Sequence, residues 1–112
     1  MPAEPLLDDL DTEDCPPAVI PDGALAREMP IVNKKGLHAR ASAKFVQTVE
    51  KFDSDVTVTR CGEAVGGRSI MGLLTLGAAK GTTITVTAKG EDADACLDAI
   101  AALVGSRFGE DE

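Results

Sequence analysis

The chain has 112 residues, enough for one domain with one core and too few for two. Hydrophobic residues make up 44% and charged residues 27%, as in an ordinary soluble globular domain. The absence of Trp and Tyr, with only three Phe, disfavours the aromatic stacking by which single-stranded nucleic acids are held. The formal net charge of −8 is unevenly spread: residues 1–26 hold seven acids and no base, leaving 12 acids and 11 bases for 27–112. A nucleic-acid backbone would be repelled by the first part and only weakly drawn to the second. Cys15, Cys61 and Cys96 are odd in number, widely spaced and form no C-x-x-C pair. That argues against a disulfide framework or a zinc site and for a reduced, cytoplasmic setting. No apolar run is long enough to span a membrane, and the N-terminus lacks a basic and an apolar region of the secretory kind.

Residues 1–26 carry Pro2, Pro5, Pro16, Pro17 and Pro21 without steady periodicity. Acidic, Pro-rich sequence buries too little apolar surface to offset its ordering entropy, so it reads as a flexible extension to a domain spanning 27–112. Met29 is an alternative start. Met29 and Ile31 sit two apart, as on one face of a strand, and Pro30 suggests an edge. After Gly36, residues 39–51 place Ala39, Ser42, Phe45, Val46 and Val49 at helical spacing. Val56 and Val58 alternate with polar residues, Cys61-Gly62 turns the chain, and Glu63–Val65 returns, so 55–65 reads as a hairpin. Ser69 can cap a short helix at 70–76 with Leu73 and Leu76 inward. Residues 82–88 alternate Thr with Ile84, Val86 and Ala88. Glu91 or Asp92 opens a last helix whose stripe is Ala93, Cys96, Leu97, Ile100, Leu103 and Val104, ended by Gly105. The order is βαββαβα. Clean alternation in three strands predicts an antiparallel α+β layer fold, one sheet face wet and the other covered by helices.

His38 is the single histidine. A lone His is most often structural, but this one follows a Gly36 turn and a Leu37 anchor and falls at a helix start. There the amide N–H groups have no internal partner and the helix dipole is positive, which suits an anion. Arg40 follows two residues on, with a fork of donors for phosphate. Five bases stand against one acid over 34–51. Neutral imidazole is a good nucleophile toward activated phosphoryl groups near neutral pH. A hydrolase or metal enzyme would need a second base, a nearby carboxylate or more His ligands, and the motif holds none.

The run Gly36-Leu37-His38-Ala39-Arg40-Ala41-Ser42-Ala43-Lys44-Phe45 resembles the active-site segment of the HPr family. These are the histidine phosphocarriers of the bacterial phosphoenolpyruvate-dependent phosphotransferase system. Gly67-Arg68-Ser69-Ile70-Met71-Gly72-Leu73-Leu74-Thr75-Leu76-Gly77-Ala78 resembles its regulatory-serine segment, and Lys80-Gly81-Thr82 leads similarly into the last strand. The resemblance covers about Arg27 to Phe108. It implies an open-faced β-sandwich, a four-stranded antiparallel sheet with three helices on one face. It implies phosphorylation of His38 on Nδ1, Arg40 as the active-site arginine, and Ser69 as the regulatory serine, a target of HPr kinase/phosphorylase. Enzyme I would be the donor and enzyme IIA-type proteins the acceptors. A monomer without cofactor is expected, acting as a stoichiometric carrier and not an enzyme, with sugar uptake or regulation as output. Many members have Pro where this chain has Ala41, so a slightly less rigid helix start is expected, with the chemistry kept. Asn33-Lys34-Lys35-Gly36 and the acidic ending Arg107–Glu112 are similar to the nitrogen-related branch.

Ser69 taken alone reads as an N-cap, a role compatible with phosphorylation. Ile70, Met71 and Leu74 lie on a helix too short to bury all its sides. They are expected to form a partner-docking patch beside His38, although Leu74 also suits the core. Two rivals stand against the carrier. Gly62–Ser69 approaches the phosphate-loop pattern G-x-x-x-x-G-K-S, with Arg68 in place of Lys, which would suit a small nucleotide-binding protein. The other is a non-catalytic interaction module in which His38 is incidental.

Overall fold

The computed structural model describes residues 18–110. Its elements follow the order expected: β1 (Leu25–Pro30), α1 (Ala39–Val49), β2 (Asp55–Arg60), β3 (Glu63–Gly66), α2 (Ile70–Thr75), β4 (Thr83–Lys89) and α3 (Ala93–Gly105). The four strands form one antiparallel sheet in the order β1-β4-β2-β3. Pro30, which has no N–H for a ladder on both sides, ends an edge strand. β1 begins at Leu25, two residues inside the stretch read as an extension. Leu25 and Ala26 pair with Ala88 and Thr87 through the backbone, which needs no apolar pattern. Residues 1–17 of that stretch, Cys15 among them, lie outside the described residues.

Val56, Val58, Ile84, Val86 and Ala88 alternate onto one sheet face and are buried, together with Phe45, Leu73, Leu97 and Ile100 of the helices. The opposite face is less open than alternation suggests: Thr57, Thr59 and Thr85 are half-buried and Thr87 is buried. Thr87 lies on a central strand, flanked by Ala26 and Thr57, so its neighbours shield it from both sides. Cys61 and Gly62 both have positive φ and make the tight β2–β3 turn. Cys61 is not a free thiol, against the expectation of three reduced cysteines.

α3 starts after Asp92 and ends at Gly105, as the sequence reading had it, and the structure adds what its ends bond to. Asp92 occupies the N-cap position but does not cap its own helix. Its carboxylate instead accepts from Asp53 N–H and Ser54 Oγ, tying α3 to the loop after α1. Gly105 is the last residue of α3, yet the left-handed turn comes later, at Arg107 (φ 62°), Phe108 (φ 56°) and Gly109 (φ 76°). A non-glycine residue there costs ~1–2 kcal/mol. Burial of Phe108, which is fully enclosed, offsets this by ~1.5–3 kcal/mol. Lys44 Nζ then donates to the Phe108 carbonyl at 2.6 Å. The chain beyond α3 is thereby held against α1.

Candidate functional site

The turn before α1 is built from backbone contacts. Gly36 N–H donates to Asn33 O, and Asn33 Nδ2 returns a bond to Gly36 O at 2.9 Å. Gly36 has φ 66°, and a Cβ there would lie 2.4 Å from Ala78 O, so only glycine fits. Leu37 is buried, and its N–H donates to Ala78 O at 2.9 Å, which pins the turn to the segment after α2. His38 then sits at the N-cap of α1 with extended backbone, its carbonyl accepting from Ser42 N–H. The imidazole makes no capping bond, and the first turn contains no acid. Ala39, Arg40 and Ala41 therefore present N–H groups with no acceptor inside the helix. Arg40 is exposed and has no ion pair among the described residues. Lys34 and Lys35 are exposed just before the turn.

The structure adds a carboxylate that the motif lacks. Glu110, 72 residues from His38 in sequence, places its Oε2 against the imidazole Nε2. Its Oε1 accepts from Asn33 Nδ2 at 3.1 Å. Burial works against the charged form of Glu110. Hydrogen bonds from His38 and Asn33, with the nearby positive charge of Lys35, outweigh it and hold the carboxyl below its ordinary pKa. The ring is half-buried, and Nδ1 has no hydrogen-bond partner among the described residues. Sequence reasoning missed Asn33 and Glu110 as site residues. An acidic ending two residues past Phe108 was the available signal for Glu110, and its direction depends on the turn at 107–109.

α1 packs against α2, which begins directly after Ser69. Ser69 is exposed and its Oγ accepts from Gly72 N–H at 3.0 Å, a working N-cap. Ile70 is 39% exposed and Met71 71%, while Leu74 is half-buried. The Gly62–Ser69 run does not form a phosphate loop. Glu63–Gly66 is strand β3, its backbone committed to the ladder with β2, and the helix that follows has only six residues. Cys96 is fully buried, and burial together with the charge of Asp92 pushes its thiol pKa up, as suits a core filler. Among the described residues no group of His, Cys, Asp and Glu is arranged to hold a metal ion, and no helix is long and apolar enough to cross a membrane.

The family model for the PTS HPr component phosphorylation site matches residues 25–106. The chain belongs to the HPr family. It is 46% identical over 87 residues to the phosphocarrier protein HPr of Xylella fastidiosa, covering 78% of this chain and 98% of that one. It is 45% identical to the phosphocarrier protein NPr of Shewanella violacea, covering 77% and 94%. The crystal structure of HPr-C-His from Thermoanaerobacter tengcongensis superposes with a TM-score of 0.75 at 39% identity, covering 79% of this chain and 99% of that one. The open-faced sandwich expected of an HPr protein is thus the fold observed. Glu110 lies beyond the matched segment, so the family pattern says nothing of it.

Proposed function

We propose that His38 Nδ1 accepts a phosphoryl group, derived from phosphoenolpyruvate, from enzyme I and passes it to an enzyme IIA-type acceptor. The observation that carries this is an imidazole whose Nδ1 has no partner among the described residues, at the start of α1, where no side chain caps the helix. Arg40 stands in the same turn. The N–H groups of Ala39–Ala41, the dipole of an 11-residue helix and the Arg40 fork oppose the charge that arrives. Ala39 and Arg40 are exposed, where their hold is moderate, so the phosphoryl group can leave again. The protein acts as a stoichiometric carrier, in the cytoplasm where phosphoenolpyruvate is found.

Ile70 and Met71 form the apolar part of the docking face for both partners, with Leu74 at its edge. Ser69 keeps its capping role and is exposed enough to take a phosphate from a dedicated kinase, which would put negative charge on that face. Intact-mass measurement after incubation with enzyme I and phosphoenolpyruvate tests the proposal. One phosphoryl group, labile in acid, should appear on the wild type and none on His38→Ala. An acid-stable product, or equal labelling of His38→Ala, would refute it.

A further inference from the structure

We propose that Glu110 is a positioning residue for phosphoryl transfer: its carboxylate holds the proton of His38 on Nε2 and so presents Nδ1 with its lone pair free. The inference rests on the carrier reading and assigns that site a residue from outside the matched family segment.

Three features of the structure support it. First, Glu110 is not a frayed end resting on the site by chance. It follows three consecutive residues with positive φ, two of them not glycine, a conformation that persists only where the surroundings impose it. The buried Phe108 ring and the Lys44–Phe108 carbonyl bond impose it here. Secondly, the carboxylate is aimed from two sides. One oxygen is taken by the buried Asn33, itself bonded to the Gly36 carbonyl of the active turn, and the other meets His38 Nε2. Thirdly, the two ring nitrogens are treated differently, one paired with an anion and the other without a partner among the described residues.

A neutral imidazole has one N–H and one lone pair, and its tautomer is set by what the other nitrogen meets. An ionised carboxylate only accepts, so Nε2 is the protonated nitrogen and Nδ1 the nucleophile. In the transfer step the Nδ1 lone pair forms the N–P bond. The bond from phosphorus to the donor's leaving atom breaks, its electron pair going to that atom. No proton moves: Nε2 keeps its hydrogen and the ring gains a positive charge shared by both nitrogens. Glu110 is placed to balance that charge from the side opposite the phosphoryl group. Return of the group to an acceptor reverses the step and leaves the same tautomer ready.

The test uses the full chain in two measurements. Nitrogen NMR of the unphosphorylated protein, above the imidazole titration, reads the tautomer of His38 in wild type, Glu110→Ala and Glu110→Gln. Initial rates of uptake from phosphorylated enzyme I then separate kcat from KM, with thermal melts as a folding control. Wild type should show a protonated Nε2 and a bare Nδ1. Glu110→Ala should shift toward mixed tautomers and lose about fivefold in kcat with KM kept, the scale of a partly exposed charged pair. Glu110→Gln, whose amide oxygen still accepts, should recover the tautomer and part of the rate. Unchanged tautomer and rate in Glu110→Ala would overturn the proposal. So would a change in KM alone, or faster uptake, which would make the carboxylate an obstruction. Failure of wild type to be labelled at all would overturn the carrier reading instead, while the tautomer spectrum, taken without phosphate, still decides the pairing.

Discussion

Replacing Gly36 by Ala should damage stability and transfer together, and a second glycine provides the control. Gly36 and Gly77 have nearly the same backbone, φ 66° and 62°. At Gly77 a Cβ would meet nothing within 4 Å, whereas at Gly36 it would lie 2.4 Å from Ala78 O and 2.9 Å from Ala79 Cα, both backbone atoms. The left-handed conformation costs ~1–2 kcal/mol at either site, offset by ~0.4–1 kcal/mol from the stiffer unfolded chain. Only Gly36→Ala adds the strain of overpacking, ~1–3 kcal/mol, because carbonyl and Cα atoms cannot swing aside. The expected losses are roughly 0–1.6 kcal/mol for Gly77→Ala and roughly 1–4.6 kcal/mol for Gly36→Ala, centred near 1 and 3. For a domain of this size the larger loss corresponds to a fall in Tm of about 10–20 °C. Relief of the clash must move the turn from Ala78 and break the Leu37 N–H bond that fixes where His38 begins α1. Phosphorylation of Gly36→Ala by enzyme I should therefore be slower well below its Tm, and that of Gly77→Ala close to wild type. Urea titrations and initial rates on the two variants check this. Losses equal within about 0.5 kcal/mol, the limit of an ordinary surface change, would show that the close approach is not tight and refute the reasoning.

Arg40→Ala should slow transfer while changing stability by only about ±0.5 kcal/mol, and Arg40→Lys should restore part of the rate; equal rates in all three proteins would remove the role. Phe108→Ala should cost ~3–5 kcal/mol in urea unfolding and release the Glu110–His38 pair, seen as a change in the imidazole nitrogen spectrum; a loss under about 1 kcal/mol would mean burial does not hold the turn. Hydrogen bonds from Ser54 Oγ and Asp53 N–H hold the Asp92 carboxyl below its ordinary pKa. The folded value is the lower one, so the stabilisation is present above the unfolded pKa and disappears as pH falls through the folded value. The urea midpoints of wild type and Ser54→Ala should accordingly converge in acid, and a gap independent of pH would exclude this origin. Ile70→Asp should weaken binding to enzyme I and to an acceptor with little change in melting, since Ile70 is 39% exposed; a collapsed melt would make it a core residue.

The fold was legible because its strands and helices differ in apolar period. The run Val56, Val58 and the run Ile84, Val86, Ala88 repeat every two residues, and Phe45, Val46 and Val49 repeat on a helix, so element type and buried face follow from spacing alone. Ser69 was legible as a cap because the chemistry is local, a hydroxyl three residues from the amide it accepts. The beginning of β1 was not, since Leu25 and Ala26 join an edge strand by backbone pairing and Leu25 remains 46% exposed. The bonding of Asp92 was not legible for a related reason. It opens α3 as read, but a carboxylate chooses among all donors in reach, and those on Asp53 and Ser54 are close only after folding.

The same distinction divides the site. Gly36, Leu37, His38 and Arg40 lie within five residues, so turn, anchor, proposed nucleophile and proposed anion-binding fork can be read from adjacent letters. The helix start is local as well. Ala41, where many HPr sequences have Pro, keeps an N–H that Pro would lack, so this chain has one more donor in the first turn of α1. Glu110 belongs to the other class. Its approach to His38 depends on the burial of Phe108, on the left-handed turn that burial makes tolerable, and on Asn33 being enclosed where it can hold one carboxylate oxygen. Each link is long in sequence and short in space. A motif read from the histidine outward finds the groups proposed to bind phosphate, because they share its helix. It does not find the group that sets the proton on the far ring nitrogen, because that group is delivered by the packing of the chain's other end.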